Sequence, residues 1–316
     1  MPDAVVKILE NDLTKKKLFS LFKIIFSSVL IYFIFNYVSF NEIVQAFVHS
    51  DFRIMSLVFA LSFVNIYVQF KKWELIAESY LEEHESAKIF KSLMIGFAAG
   101  ILTPARVGEF AGRAIPFGKN NLLKITIATF LDKIFALAIM FIVGGASLFL
   151  LFGQEINLHT GIITLLISLF LLLSFSIIYL IKTGKVRQIK KTKFVKNFLS
   201  KFHQLKHLER NIFYKLIIIS FIFVLIYLIQ FSLLISAFTS SPDYLLFFLV
   251  GAAVMFTKTF LLPFGFGDLG VREGAAVYFI TLLGFSGAAG FSASILLFTI
   301  NLLIPSLIGS IYFIKK

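Results

Sequence analysis

Apolar side chains fall in long unbroken blocks along this chain, at approximately 18 to 40, 54 to 70, 93 to 103, 122 to 152, 162 to 181, 216 to 238, 244 to 262, 275 to 289 and 291 to 313. A bilayer core asks for ~20 apolar residues per helix, whereas a soluble helix alternates apolar and polar positions with a short period. The blocks therefore predict helices that cross a membrane. Two polar stretches rich in Gly and Pro interrupt them: Thr103-Pro104-Ala105-Arg106-Val107-Gly108-Glu109-Phe110-Ala111-Gly112-Arg113, and the run from Pro263 to Gly274. Irregular backbone at membrane depth must be buried in protein or line a wet cavity. A hairpin that enters and leaves by one face meets that condition at each break.

Charge then sets orientation. Between Lys182 and Lys215, eleven Lys and Arg face one acid, Glu209, so loop 182–215 belongs on the cytoplasmic side. Val195, Phe198, Leu199, Phe202 and Leu205 recur there at helical spacing, which reads either as a basic helix on the inner leaflet or as a solvated run that only fixes topology. Loop 71–92 also suits the inside, with Trp73 placed as an interfacial anchor. Walking outward gives a cytoplasmic segment 1–17, retained because it lacks a signal-peptide layout. A first transmembrane repeat, 18–152, follows with a re-entrant hairpin at about 93–115. A second repeat, 162–316, contains the basic loop and a re-entrant hairpin at about 244–289. Each repeat has three spanning helices and one hairpin, one starting inside and the other outside, and both termini are cytoplasmic. The predicted fold is an all-α polytopic membrane protein of two inverted-topology repeats, the plan of secondary transporters.

Composition narrows the function. Hydrophobic residues are 59% of the 316 and charged residues 15%, against about 25% charged in soluble domains. The net charge of +13 reports topology and contact with anionic lipid rather than nucleic acid. With no cysteine, disulfide scaffolds, thiolate metal sites and Cys nucleophiles are excluded. No metal site or cofactor is expected.

Ionisable groups at membrane depth are costly and default to functional candidates. Arg106, Glu109 and Arg113 sit in the first break; Asp268, Arg272 and Glu273 sit in the second, with Lys258 just upstream. Guanidinium forks bond phosphate bidentately, and neighbouring carboxylates can neutralise them in an empty site. Arg106, Arg113, Lys258 and Arg272 are the candidates to bind a lipid phosphate. Glu109, Asp268 and Glu273 would balance charge or couple protons, and Pro104, Gly108, Pro263, Gly265, Gly267 and Gly270 would form hinges. The alternative is that Arg106 with Glu109, and Arg272 with Glu273, are only structural charge pairs. Asp132 and Lys133 read as a mutually compensating pair facing the bundle. The GxxxG spacings at 96 and 100, 108 and 112, and 270 and 274 suit close helix packing.

Enzyme motifs match only in part. His84-Glu85 lacks the second His of a zincin. Ser286 in Gly284-Phe285-Ser286-Gly287 has no nearby base. Gly265-Phe266-Gly267-Asp268 copies the GxGD of intramembrane aspartyl proteases, with Asp132 as the conceivable partner, but the accompanying Tyr-Asp and Pro-Ala-Leu are absent. An enzyme is not expected.

At both breaks the chain resembles the lysylphosphatidylglycerol synthase transmembrane-region family, also described as flippase-like membrane proteins. Pro104-Ala105-Arg106-Val107-Gly108-Glu109, and the run from Pro263 to Glu273, carry the likeness. The resemblance implies a stand-alone lipid translocase of the plasma membrane, moving an anionic or aminoacylated phospholipid or a polyprenyl-linked lipid between leaflets. Membrane lipids are its implied partners, alongside a separate lipid-modifying transferase and a second copy of the chain. An accessory subunit that presents lipid to such a transferase is the alternative function, and an aspartyl protease a lesser one.

Overall fold

The computed structural model describes residues 39–101, 103, 106–118, 122–152, 210–261 and 270–314. The expected span 162–181 lies outside these residues, as do almost all of 18–40, loop 182–215 up to 209, and Pro104, Pro263, Gly265, Gly267 and Asp268. Among the described residues all regular structure is helical: α1 Phe40–Val48, α2 Phe52–Ile76, α3 Ser86–Ile101, α4 Gly108–Ala114, α5 Leu122–Phe152, α6 Arg210–Thr239, α7 Tyr244–Leu261, α8 Val271–Leu282, α9 Gly287–Phe298 and α10 Ile304–Ile314.

Local chemistry explains where these helices begin and end. The Ser39 and Asp51 side chains accept from Glu42 N (3.2 Å) and Arg53 N (2.8 Å), capping α1 and α2. α2 does not stop at residue 70. It continues through Lys71–Glu74 and a π turn, Ala77–Leu81, because the charges there are matched: Lys71 Nζ reaches Glu74 Oε2 at 2.6 Å, and Lys72 pairs inside the protein, as described below. Likewise α3 starts at Ser86 rather than 93, Ser86 Oγ donating to Glu74 Oε1 at 2.7 Å. The chain leaves α8 through a turn at Leu283–Ser286, several residues before the expected end of the second hairpin at about 289. Gly284 supplies a φ of 81° there, and Ser286 caps α9 on Ala288 N.

α9 passes into α10 through a second π turn, Thr299–Leu303. Pro305 has no N–H to return to the Asn301 carbonyl four residues earlier, which accounts for the widened turn. Asn301 is held instead by its side chain, whose Nδ2 donates to Gln230 Oε1 at 3.2 Å. Gln230 also accepts from Asn65 Nδ2 at 3.1 Å and donates to Val58 O. This buried amide relay ties α2, α6 and the π turn together, and in a low dielectric it fixes their register.

One core gathers Phe231, Leu234, Phe247, Val250, Ala276, Ile280, Ala293 and Leu297 from α6 to α9. A second gathers Trp73, Ile76, Leu93, Phe97, Ile125 and Ala128, together with Phe298 and Leu302, so the C-terminal helices reach into the packing of α2 to α5. Among the described residues, four helical stretches are long and apolar enough to cross a membrane: Phe52–Leu81, Leu122–Phe152, Arg210–Thr239 and Gly287–Tyr312. The chain is a polytopic membrane protein, all-helical over its described residues.

Candidate functional site

The first break is a helical hairpin with an unusually close seam. Thr103 Oγ1 accepts from Gly108 N at 2.7 Å, while Arg106 takes a left-handed φ of 56°, and the chain reverses into α4. α4 then lies on α3 through small residues. A Cβ on Gly108 would stand 2.2 Å from Ala99 O, and one on Gly112 2.8 Å from Ile95 O; on α3, a Cβ on Gly96 would meet Arg113 Cγ at 2.6 Å. The stripe of missing side chains lets the Arg113 stem lie flat on α3. Ser92 Oγ donates to Arg113 O at 2.7 Å and fixes the far end.

This seam delivers Glu109 and Arg113 into a buried ion cluster. The Glu109 side chain is 1% exposed; its Oε1 stands 2.7 Å from Arg113 Nη2, and its Oε2 stands 3.0 Å from Arg106 Nη2 and 2.8 Å from Lys133 Nζ. Asp132 continues the chain: Oδ2 lies 3.0 Å from Arg113 Nη1, and Oδ1 lies 3.0 Å from Lys72 Nζ, which also donates to Asp132 O at 2.8 Å. Arg113 rests on the Trp73 ring, 4.4 Å from its centroid. Lys72, Asp132, Arg113 and Glu109 thus alternate in sign and cancel. Arg106 and Lys133 both end on Glu109 Oε2, and their side chains are the more open ones, 20% and 29% exposed.

The second break ends in a smaller cluster. Gly270, at φ 93°, precedes α8, and Glu273 in the first turn accepts from Gly270 N at 2.7 Å. Arg272 bonds Glu273, and its Nε donates to Ser294 Oγ at 2.8 Å. Both charged residues are buried. The Arg272 guanidinium lies over Phe298 at 5.2 Å, and that of Arg106 over Phe97 at 5.7 Å. Trp73, Phe97 and Phe298 belong to one apolar cluster, so three guanidinium groups from the two breaks cover one aromatic floor.

A family model described as the lysylphosphatidylglycerol synthase TM region matches residues 20–309 and takes in both breaks. The chain belongs to this family. No curated protein matches it. The lysylphosphatidylglycerol synthase TM region family connects the protein with lipid handling in a membrane.

Within this family member, Arg106, Glu109 and Arg113 meet in one cluster, and Arg272 and Glu273 in another. Lys258 stands half-buried in the last turn of α7. Three sequence readings change. Lys72 is a buried helical residue paired with Asp132, not part of a cytoplasmic loop. Trp73 is fully buried under Arg113, so it does not anchor at the membrane interface. Asp132 and Lys133 do not compensate each other; they point to different partners, since neighbours in a helix diverge by ~100°. The sequence signal was only that α2 and α5 each carry charge within a long helix, without saying which charges meet. Outside the spans, at the turn after α2, the Lys88 ammonium bonds Glu83 and holds its carboxyl below the usual range.

Proposed function

We propose that this protein is a lipid translocase, carrying a phosphate-bearing lipid between the leaflets of the plasma membrane without covalent chemistry. The observation that supports this best is the cluster around Glu109: four cations meet two carboxylates between the α3–α4 hairpin, α2 and α5, with Arg106 and Lys133 on its more open side. Guanidinium and ammonium groups gathered at one place in a membrane protein suit an anionic headgroup. In this reading α3 with α4, and α7 with α8, are the re-entrant hairpins of two inverted repeats, and both termini face the cytoplasm. Glu109 and Glu273 hold the arginines when no lipid is bound. Both Asp132 oxygens are engaged by cations, which counts against the proton-sharing carboxylate pair of an aspartyl protease.

Purified protein in liposomes, followed by a leaflet-resolved lipid assay, tests the proposal. The parent should speed lipid crossing, and Arg106→Gln and Arg272→Ala should each lower the rate at least tenfold. Unchanged crossing in both variants would reject the site. An inert parent that co-purifies with a lipid-modifying transferase would instead indicate an accessory subunit.

A further inference from the structure

The amide relay between α2, α6 and the π turn Thr299–Leu303 leaves one oxygen over. Gln69 Nε2 donates to Asn65 Oδ1 at 3.1 Å, Asn65 Nδ2 and Asn301 Nδ2 donate to Gln230 Oε1, and Gln230 Nε2 donates to Val58 O. Asn301 Nδ2 also donates to Leu297 O at 3.3 Å, which spends both of its hydrogens. This fixes the amide, since the flipped form would set an oxygen against two oxygens. Asn301 Oδ1 is therefore turned away from the relay, on a residue 7% exposed, and meets no hydrogen-bond donor among the described residues. A second acceptor belongs to the same turn. Ile304 N donates to Thr299 O, and Pro305, next in line for the Ile300 carbonyl, has no N–H. An acceptor left bare in an apolar span is costly, so both oxygens call for a donor or a positive charge. A phosphate dianion, an acceptor only, does not suit them.

We infer that the π turn binds a sodium ion, with Asn301 Oδ1 and the Ile300 carbonyl as ligands. Asn65, Gln69 and Gln230 are positioning residues that hold Asn301 in its orientation. Neutral carbonyl and amide oxygens replace the hydration shell of a monovalent cation, whereas calcium and magnesium are ordinarily held by carboxylates, which the relay does not offer. The turn lies inside the span Gly287–Tyr312, and interrupted helices that present backbone carbonyls to sodium at membrane depth are the coupling sites of secondary transporters. Ile300 and Leu302 are buried on either side of Asn301, and close packing favours sodium over the larger potassium. Half-buried Gln69 carries the polar track toward the surface of α2. Only the coupling role, in which a sodium gradient drives the lipid, rests on the translocase reading; the binding of the ion stands apart from it.

Equilibrium dialysis of the purified full chain in detergent against radioactive sodium reads the site directly. Binding should saturate at one ion per chain and be displaced by unlabelled sodium chloride, at least tenfold less well by potassium chloride, and not by choline chloride. Asn301→Leu should abolish it. Pro305→Ala, which returns an amide to the turn and spares the helix a proline, should weaken it several-fold while the protein stays folded, so that a loss in both variants is not the mark of misfolding. Dialysis without saturable binding overturns the inference, as does binding unchanged in both variants or equal displacement by potassium. Leaflet-resolved lipid crossing in liposomes under an imposed sodium gradient separates the claims. Saturable sodium binding without any crossing would sink the translocase alone, and crossing without sodium binding would sink the ion site alone. Binding together with crossing that ignores the gradient would sink the coupling role.

Discussion

Glu109 holds three cations on two oxygens while 1% exposed, and that load makes it a sensitive position. Removing a partner from a buried charge network leaves the others uncompensated, at a cost of about 3 to 5 kcal/mol. Glu109→Gln should accordingly lower the denaturation midpoint in detergent sharply, whereas Lys133→Gln, on the open side, should change it little. A comparable loss in both would contradict the contrast between the buried and the open side of the cluster. The residues of this cluster differed in how legible they were. Arg106, Glu109 and Arg113 stand within eight positions, beside a proline and glycines, and chemistry alone singled them out. Lys72 and Asp132 are sixty positions apart, and nothing along a single chain shows that two spans turn those faces toward each other. Lys133 was hidden by adjacency to Asp132, since opposite charges side by side invite a pairing that helical geometry forbids.

For whole elements, the hydropathy blocks 122–152 and 244–262 lie over α5 and α7. It cut α2 and α3 short, because Lys71, Lys72, Glu74 and Lys88 look like a loop until their partners are known. The glycine spacings fared well where they were used for packing: Gly96, Gly108 and Gly112 are the places where α3 and α4 touch. Overpacking a close seam costs roughly 1 to 3 kcal/mol. Gly108→Ala, which drives a methyl group into the Ala99 carbonyl, should reduce the yield of folded protein and accelerate proteolysis between α3 and α4. Ala111→Ser, on an exposed position of α4, should do neither. Equal behaviour of the two variants would show that the seam tolerates expansion.

Across the whole molecule, α2 and its π turn run from Phe52 to Leu81, about 45 Å at 1.5 Å per residue, which exceeds a hydrocarbon core of about 30 Å. If this segment crosses, its two ends lie on opposite sides of the membrane. The chain has no cysteine, so single substitutions report topology cleanly. Ser50→Cys should react with an impermeant maleimide from outside intact cells, and His84→Cys only after permeabilisation. The reverse pattern would invert the orientation inferred from the basic loops. The two-repeat plan stays part of the proposal, since the parity of crossings behind it counts 18–40 and 162–181, which lie almost wholly outside the described residues. The aromatic floor shared by Arg106, Arg113 and Arg272 was not legible in the sequence, since its rings come from three distant helices.

The π turn at Thr299–Leu303 gives the last crossing a built-in joint. Beyond it, Gly309 rides directly on the Met94 carbonyl of α3, where an added Cβ would sit 1.9 Å away, and two residues further along α3 Gly96 supports the Arg113 stem. A tilt of α10 about Pro305 would therefore press on the same stretch of α3 that carries the Arg113 stem, and the pivot of such a crank would be a missing amide hydrogen.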